Sequence, residues 1–310
     1  MLVKDPPVAV TDKLRMLGIT RYPIYLFEGS EEGTVFEGGV GAIGPSVRKQ
    51  MDELSGSGDF VKQIVLTHAH PDHVMAVPLL REMFPDAVVL ASEPAAGTLA
   101  AEKAMSFFAK MDNAFTGSLL ERGLIAEEDR PQPPAGKPIA VDRIIAEGDT
   151  VAVDADVAFA VLETPGHSDC SLSFHRPDAG ILLVSDALGY YLPEHDYWWP
   201  DYFTDYKAYL DSIRRLAAMN AEILCLGHNV VIKGSEDVKA CFQSGLAATE
   251  AYHQRIVDEA KAGEPIRQIA EELGSEVYEK TQLLSVEFFQ KNCNLLVKQS
   301  LRAEGMSEEK

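Results

Sequence analysis

Residues 67 to 73 read Thr-His-Ala-His-Pro-Asp-His, so three imidazoles and a carboxylate fall within six positions. His68 and His70 are two apart, and in an extended chain both rings point to one side. Asp72 and His73 come after a turn and approach the same space from another direction. Imidazole with carboxylate is a donor set that suits zinc, iron or manganese. An ordinary surface loop with Asp72 capping a helix would use the same residues differently.

Three further residues of ligand type stand at the ends of apolar runs. His167 follows Thr164-Pro165-Gly166 after the run 157–163, Asp186 follows Ile181-Leu182-Leu183-Val184-Ser185, and His228 follows Ile223-Leu224-Cys225-Leu226-Gly227. Singly, each has a plain reading: His167 as a satisfied loop histidine, Asp186 as a cap. The same arrangement three times over is what points to a common centre.

The elements that must position these groups are legible around them. Phe60 to Leu66 is apolar and β-branched, a buried strand, and a helix begins near His73, so the histidine motif sits on a strand-to-helix turn. Tyr22–Glu28 and Thr34–Glu37 read as paired strands. Gly38, Gly39 and Gly41 form a loop that lacks the G-K-[ST] of a phosphate loop; close backbone approach to the site and a plain turn are both open. Pro45–Leu54 reads as a helix and Ala87–Ala91 as a strand, and strand-helix-strand implies an α/β layer. Strands are expected at 142–145, 149–153, 157–163, 171–175 and 180–184.

Two segments interrupt that pattern. Residues 92–138 read as a helical insertion closing in a proline-rich loop, with Met105, Phe107, Phe108, Met111 and Phe115 either near the site mouth or in the core. Tyr190, Tyr191, Trp198 and Trp199 directly follow Asp186 and are the candidate substrate contacts, a subunit interface being the alternative. From Ser235 the chain is helical only. Val238, Phe242, Leu246, Thr249, Tyr252, Ile256 and Ala260 form one amphipathic face. A second helix is expected to end at Gly274. A third spans Leu283–Leu301, with Glu287 and Gln290 facing away from its apolar stripe. The division is thus a main domain at 1–234 and a helical extension at 235–310.

The chain has 310 residues, 46% hydrophobic, with a formal net charge of −20. That is ample for a large core. The charge disfavours nucleic acid and anionic membranes. No run approaches a membrane span, and the first residues lack a signal-peptide core. Four cysteines without C-x-x-C spacing suit a reducing, cytoplasmic setting.

H-x-H-x-D-H at 68–73, P-G-H at 165–167, S-D at 185–186 and G-H at 227–228 resemble the metallo-β-lactamase-fold superfamily in order and placement. The resemblance covers roughly residues 20 to 233. It implies an α/β (α+β) fold, an αββα four-layer sandwich of two mixed sheets with helices outside and metals at one edge. It also implies two divalent cations, zinc first, with iron or manganese as alternatives. His68, His70 and His167 would hold one; Asp72, His73 and His228 the other; Asp186 would bridge them. Where many members carry an aspartate, Glu37 precedes the glycines here, a supporting position that leaves the ligand set intact. Cys170 is assigned to packing or support.

Such a pair acidifies a shared water, from a pKa of about 15.7 in bulk to about 7 at a well-built zinc site, and the hydroxide attacks a carbonyl or phosphoryl centre. Asp72 would aim it. The expected activity is hydrolysis of a small ester, thioester or lactone. The alternatives are a regulatory protein that retains the metal site, or a diiron redox enzyme. A small-molecule substrate and a homodimer complete the expectations.

Overall fold

The structure is a computed structural model that describes residues 1–55, 59–133 and 135–307. Pro134 of the expected loop and the last three residues of the expected helical extension lie outside the described residues.

The strands are β1 (Leu2–Val3), β2 (Val8–Ala9), β3 (Leu14–Ile19), β4 (Tyr22–Glu28), β5 (Gly33–Phe36), β6 (Val61–Val65), β7 (Val88–Ala91) and β8 (Arg143–Ile144), then β9 (Thr150–Asp154), β10 (Val157–Glu163), β11 (Leu172–Arg176), β12 (Ile181–Ser185), β13 (Tyr190–Leu192), β14 (Tyr197–Trp199), β15 (Ile223–Leu226) and β16 (Val231–Lys233). One seven-stranded sheet runs β2 to β8 in chain order; the other runs β1-β16-β15-β12-β11-β10-β9. Both are mixed: β5, β6, β7 and β8 pair in parallel, as do β12 and β15, and the other pairings of these two sheets are antiparallel.

Strand alternation explains how the two sheets stack. Tyr25, Phe27, Phe36, Phe159, Leu183 and Cys225 turn inward to a common core. Ile24, Leu26, Leu182, Val184 and Leu224 turn outward beneath helices. Strands buried on both faces read as continuous apolar runs, which is why they stand out in the sequence. Phe159 seals the middle, with ring centroids 5.2 Å from Phe27 and 4.9 Å from Phe36.

The helices are α1 (Gly44–Ser55), α2 (Pro71–Val74), α3 (Val77–Met83), α4 (Glu93–Ala100), α5 (Glu102–Glu121), α6 (Tyr206–Ala217), α7 (Ser235–Ala262), α8 (Ile266–Thr281) and α9 (Val286–Ala303). The fold is therefore the αββα sandwich with helices following at the C-terminal end. None of the described helices is long and apolar enough to cross a membrane.

The sequence reading lacks the short strands β1, β2, β13, β14 and β16, and three longer elements also differ from it. β3 is absent from it, because Arg15 and Gly18 interrupt the apolar pattern. α6 is absent too, although Asp205 caps it by accepting from the Ala208 amide at 2.8 Å. Finally, α8 runs through Gly274 to Thr281. That glycine is a contact point rather than a stop: an added Cβ would lie 2.4 Å from the backbone nitrogen and Cα of Gln290 on α9. Gln290 accordingly faces α8, donating to Ser275 Oγ at 3.3 Å.

Gly274→Ala should therefore lower stability by about 1–3 kcal/mol through overpacking. Gly97→Ala, at an exposed position of α4 with nothing within 4 Å of the added carbon, should raise it by up to about 1 kcal/mol. Denaturant titration of both variants checks the opposite signs.

Candidate metal centre

Four strands deliver the candidate ligands to one rim. β6 leads into Thr67–His73, β10 into His167, β12 into Asp186 and β15 into His228. The Leu172 amide donates to the Thr67 carbonyl at 2.8 Å and so pins the histidine loop to the opposite sheet. The Cys170 thiol accepts from the Ala69 amide at 3.3 Å and holds the same loop.

All seven residues converge. His167 Nε2 lies 3.2 Å from His68 Nε2 and 2.9 Å from His70 Nδ1. His73 Nε2 lies 3.6 Å from Asp72 Oδ2, and His228 Nε2 lies 3.8 Å from the same oxygen. Asp186 sits between the two groups. Its Oδ2 is 3.5 Å from His167 Nε2 and 3.2 Å from His73 Nε2, and its Oδ1 is 3.5 Å from His228 Nε2.

The outer nitrogens of four rings are tied down. His167 Nδ1–H donates to the Asp201 carbonyl at 2.9 Å, and His228 Nδ1–H to the Arg21 carbonyl at 2.8 Å. His73 Nδ1–H donates to Glu37 Oε2 at 3.0 Å. His68 Nδ1 meets Thr67 Oγ1 at 3.1 Å, whose hydroxyl in turn reaches Glu37 at 3.0 Å. Carbonyls and carboxylates only accept, so in a neutral ring held this way the inner nitrogen is left with a lone pair, and those of His68, His70 and His167 face one another.

Such an arrangement requires a positive charge at its centre. Burial first, and then neighbouring imidazoles, hold His68 well below the usual histidine range and push His167 down to about 3. Burial lowers His70 as well. Protons are therefore disfavoured there, and neutral imidazole is the form that binds metal. In the other half burial also pulls His73 down, but Asp186, Glu37 and Asp72 outweigh it and raise the ring well above its usual value. His73 Nε2 and Asp186 Oδ1 are buried without a hydrogen-bond partner among the described residues. Two orphaned atoms aimed into one space, with three neutral imidazoles alongside, fit a pair of divalent cations. His68, His70 and His167 form one group within metal-binding reach, and Asp72, His73 and His228 another.

Local backbone choices make the cluster possible. Gly227 packs against Asp186, and a Cβ there would lie 2.3 Å from Asp186 Oδ1. Gly166 adopts φ +119° beneath α6, where a Cβ would meet the Tyr209 backbone nitrogen at 2.3 Å. The Gly38 amide donates to the His73 carbonyl at 2.9 Å, so the glycine loop makes the close approach to the site. Glu37 and Ser185 hold left-handed backbone at φ 76° and φ 48°, conformations that cost energy and gather at working sites.

The cluster opens into a cavity of about 380 Å³. The four expected substrate contacts divide by strand alternation. Tyr190 pairs with Trp199 and Tyr191 with Trp198 across the β13–β14 hairpin. Tyr190 and Trp199 line the cavity. Tyr191 and Trp198 do not: they stack on each other at 4.5 Å on the opposite face, and Trp198 Nε1–H donates to Ser244 Oγ at 3.0 Å. Of the expected insertion residues, Phe107, Phe108, Met111 and Phe115 line the cavity, while Met105 is core. Arg21 and Asp201 are not singled out by the sequence; they act through main-chain carbonyls, which no side-chain pattern marks. Tyr22, Phe203 and Phe288 also line the cavity.

The family model described as the Metallo-beta-lactamase superfamily matches residues 20–228. The uncharacterized protein YobT of Bacillus subtilis (strain 168) is 27% identical over 169 residues, 53% of this chain and 60% of YobT. A hydroxyacylglutathione hydrolase of Fuscovulum blasticum is 26% identical over 144 residues, 46% of this chain and 40% of that protein. The chain thus spans less than two thirds of the length of these curated relatives. Among solved structures, a metallo-beta-lactamase family protein from Thermus thermophilus aligns with a TM-score of 0.64 at 22% identity, covering 96% of this chain and 95% of that one. That likeness is one of fold.

Glu37 reaches both halves of the cluster, so Glu37→Gln should weaken metal affinity by about 10–100-fold, measured by competition with a chromophoric chelator. Gly227→Ala should displace the Asp186 carboxylate and leave fewer than two zinc ions per chain after gel filtration, read by elemental analysis.

Proposed function

The chain belongs to the metallo-β-lactamase superfamily, and from that premise we propose that it is a dinuclear metal-dependent hydrolase of small esters, thioesters or lactones. The observation that carries this reading is the meeting of seven donors around inward-facing lone pairs at the mouth of a cavity. The hydrolase named among its relatives supports it further.

Bound zinc would acidify a water and polarise the group under attack. The chain's own residues supply the rest. Asp186 spans both groups of donors and fixes their separation. Asp72, partly exposed and lining the cavity, stands where it can take up the proton that an attacking water gives up. Glu37 and the carbonyls of Arg21 and Asp201 keep the rings from turning, so the site need not reorganise as charge develops. Tyr190 and Trp199 bound the space in which the scissile group sits.

Purified protein carrying two zinc ions per chain should cleave at least one member of an ester, thioester, lactone and phosphodiester panel. Chelation should abolish that turnover and added zinc restore it. His73→Ala and Asp186→Ala should each lower kcat/KM by more than about 100-fold. Silence across the whole panel, with both metals bound, would show the reading to be wrong.

A further inference from the structure

We propose that the cavity accepts only substrates that carry an apolar chain and no charge away from the bond being broken; this rests on the hydrolase reading above. Its apolar walls include two segments far apart in sequence. Phe108, Met111 and Phe115 stand on α5, while Leu284, Phe288 and Leu295 stand on α9 and the turn before it. Phe107 and Leu295 line the same cavity yet remain 56% and 37% exposed, which is costly for large apolar groups unless something apolar passes between them.

Charge points the same way. The acidic side chains lining the cavity are Asp201 and the metal-cluster residues Asp72 and Asp186; among the described residues no lysine or arginine lines it. Arg21 is the cation behind the rim, and its guanidinium is engaged with Asn229 at 3.3 Å and Glu194 at 3.0 Å. Asp201 is 3% exposed, and its Oδ1 has no hydrogen-bond partner among the described residues. It therefore presents a buried carboxyl to the ligand. Away from the metal cluster, an anionic tail would be stripped of water beside that carboxyl and among aromatic rings, with no lysine or arginine to meet it. Thr204, Thr281 and Asn292 add neutral polar points to the wall. A glutathione thioester, whose carboxylates lie away from its acyl group, is disfavoured on these grounds. A medium-chain neutral ester or lactone is favoured.

The test separates binding from turnover. Trp199 lines the cavity and Trp198 does not, so the zinc-loaded Trp198→Phe protein reports on the cavity through one tryptophan's fluorescence. The probes are a medium-chain alkyl ester and the corresponding half-ester of a dicarboxylic acid, which places a carboxylate at the far end of the same chain. The neutral ester should bind about tenfold more tightly or better. Phe107→Lys, an exposed position that tolerates the charge, should narrow or reverse that preference. Equal affinities, or tighter binding of the half-ester to the protein with Phe107 intact, would overturn the proposal. Selective binding of the neutral ester without cleavage of it or of any panel member would uphold the cavity's preference and reject the hydrolase reading. Cleavage without chain-length or charge discrimination would do the reverse.

Discussion

The structure is organised by a problem of facing lone pairs. Main-chain carbonyls and one carboxylate hold the outer nitrogens of the histidine rings, so their inner nitrogens meet across about 3 Å. Burial disfavours a proton on His68, His70 and His167, whose inner nitrogens face one another. Only a cation relieves the repulsion, so the arrangement has chemical meaning before any reaction is considered. Both sheets contribute to it, and the aromatic seal between the sheets therefore fixes donor positions as well as stability.

Holding donors from four strand ends in register demands backbone that ordinary residues resist. The tight passages at Gly166 and Gly227 and the left-handed Ser185 each adjoin a ligand in the chain, and the left-handed Glu37 ends β5 and bonds the His73 ring. Strain of this kind persists only where the surroundings over-determine it. Here the surroundings are the two-sheet core below and α6 above, whose Tyr209 hydroxyl donates to the Asp186 carbonyl at 3.3 Å.

Much of this is legible in the sequence, for identifiable reasons. β12 and β15 are buried on both faces and leave unbroken apolar runs, and β6 and β10 are apolar enough to stand out with them, so the residues at their ends are evident. The cavity is less so. Tyr190 and Trp199 cannot be separated from Tyr191 and Trp198 without the hairpin register, because all four are aromatic neighbours. The main-chain acceptors at Arg21 and Asp201 carry no side-chain signature. Gly274 has the composition of a helix stop, and only the proximity of α9 reveals it as a packing contact. The role of the C-terminal helices in walling the cavity depends on long-range packing that local pattern does not encode.

Glu37 accepts from the His73 ring and from Thr67, which in turn contacts the His68 ring. One carboxylate thus shares its electron density between the two halves of the cluster, and Asp186 does the same from within. With a cation in each half, electron withdrawal at one would be felt at the other through both links, and the two positions could not be adjusted one at a time.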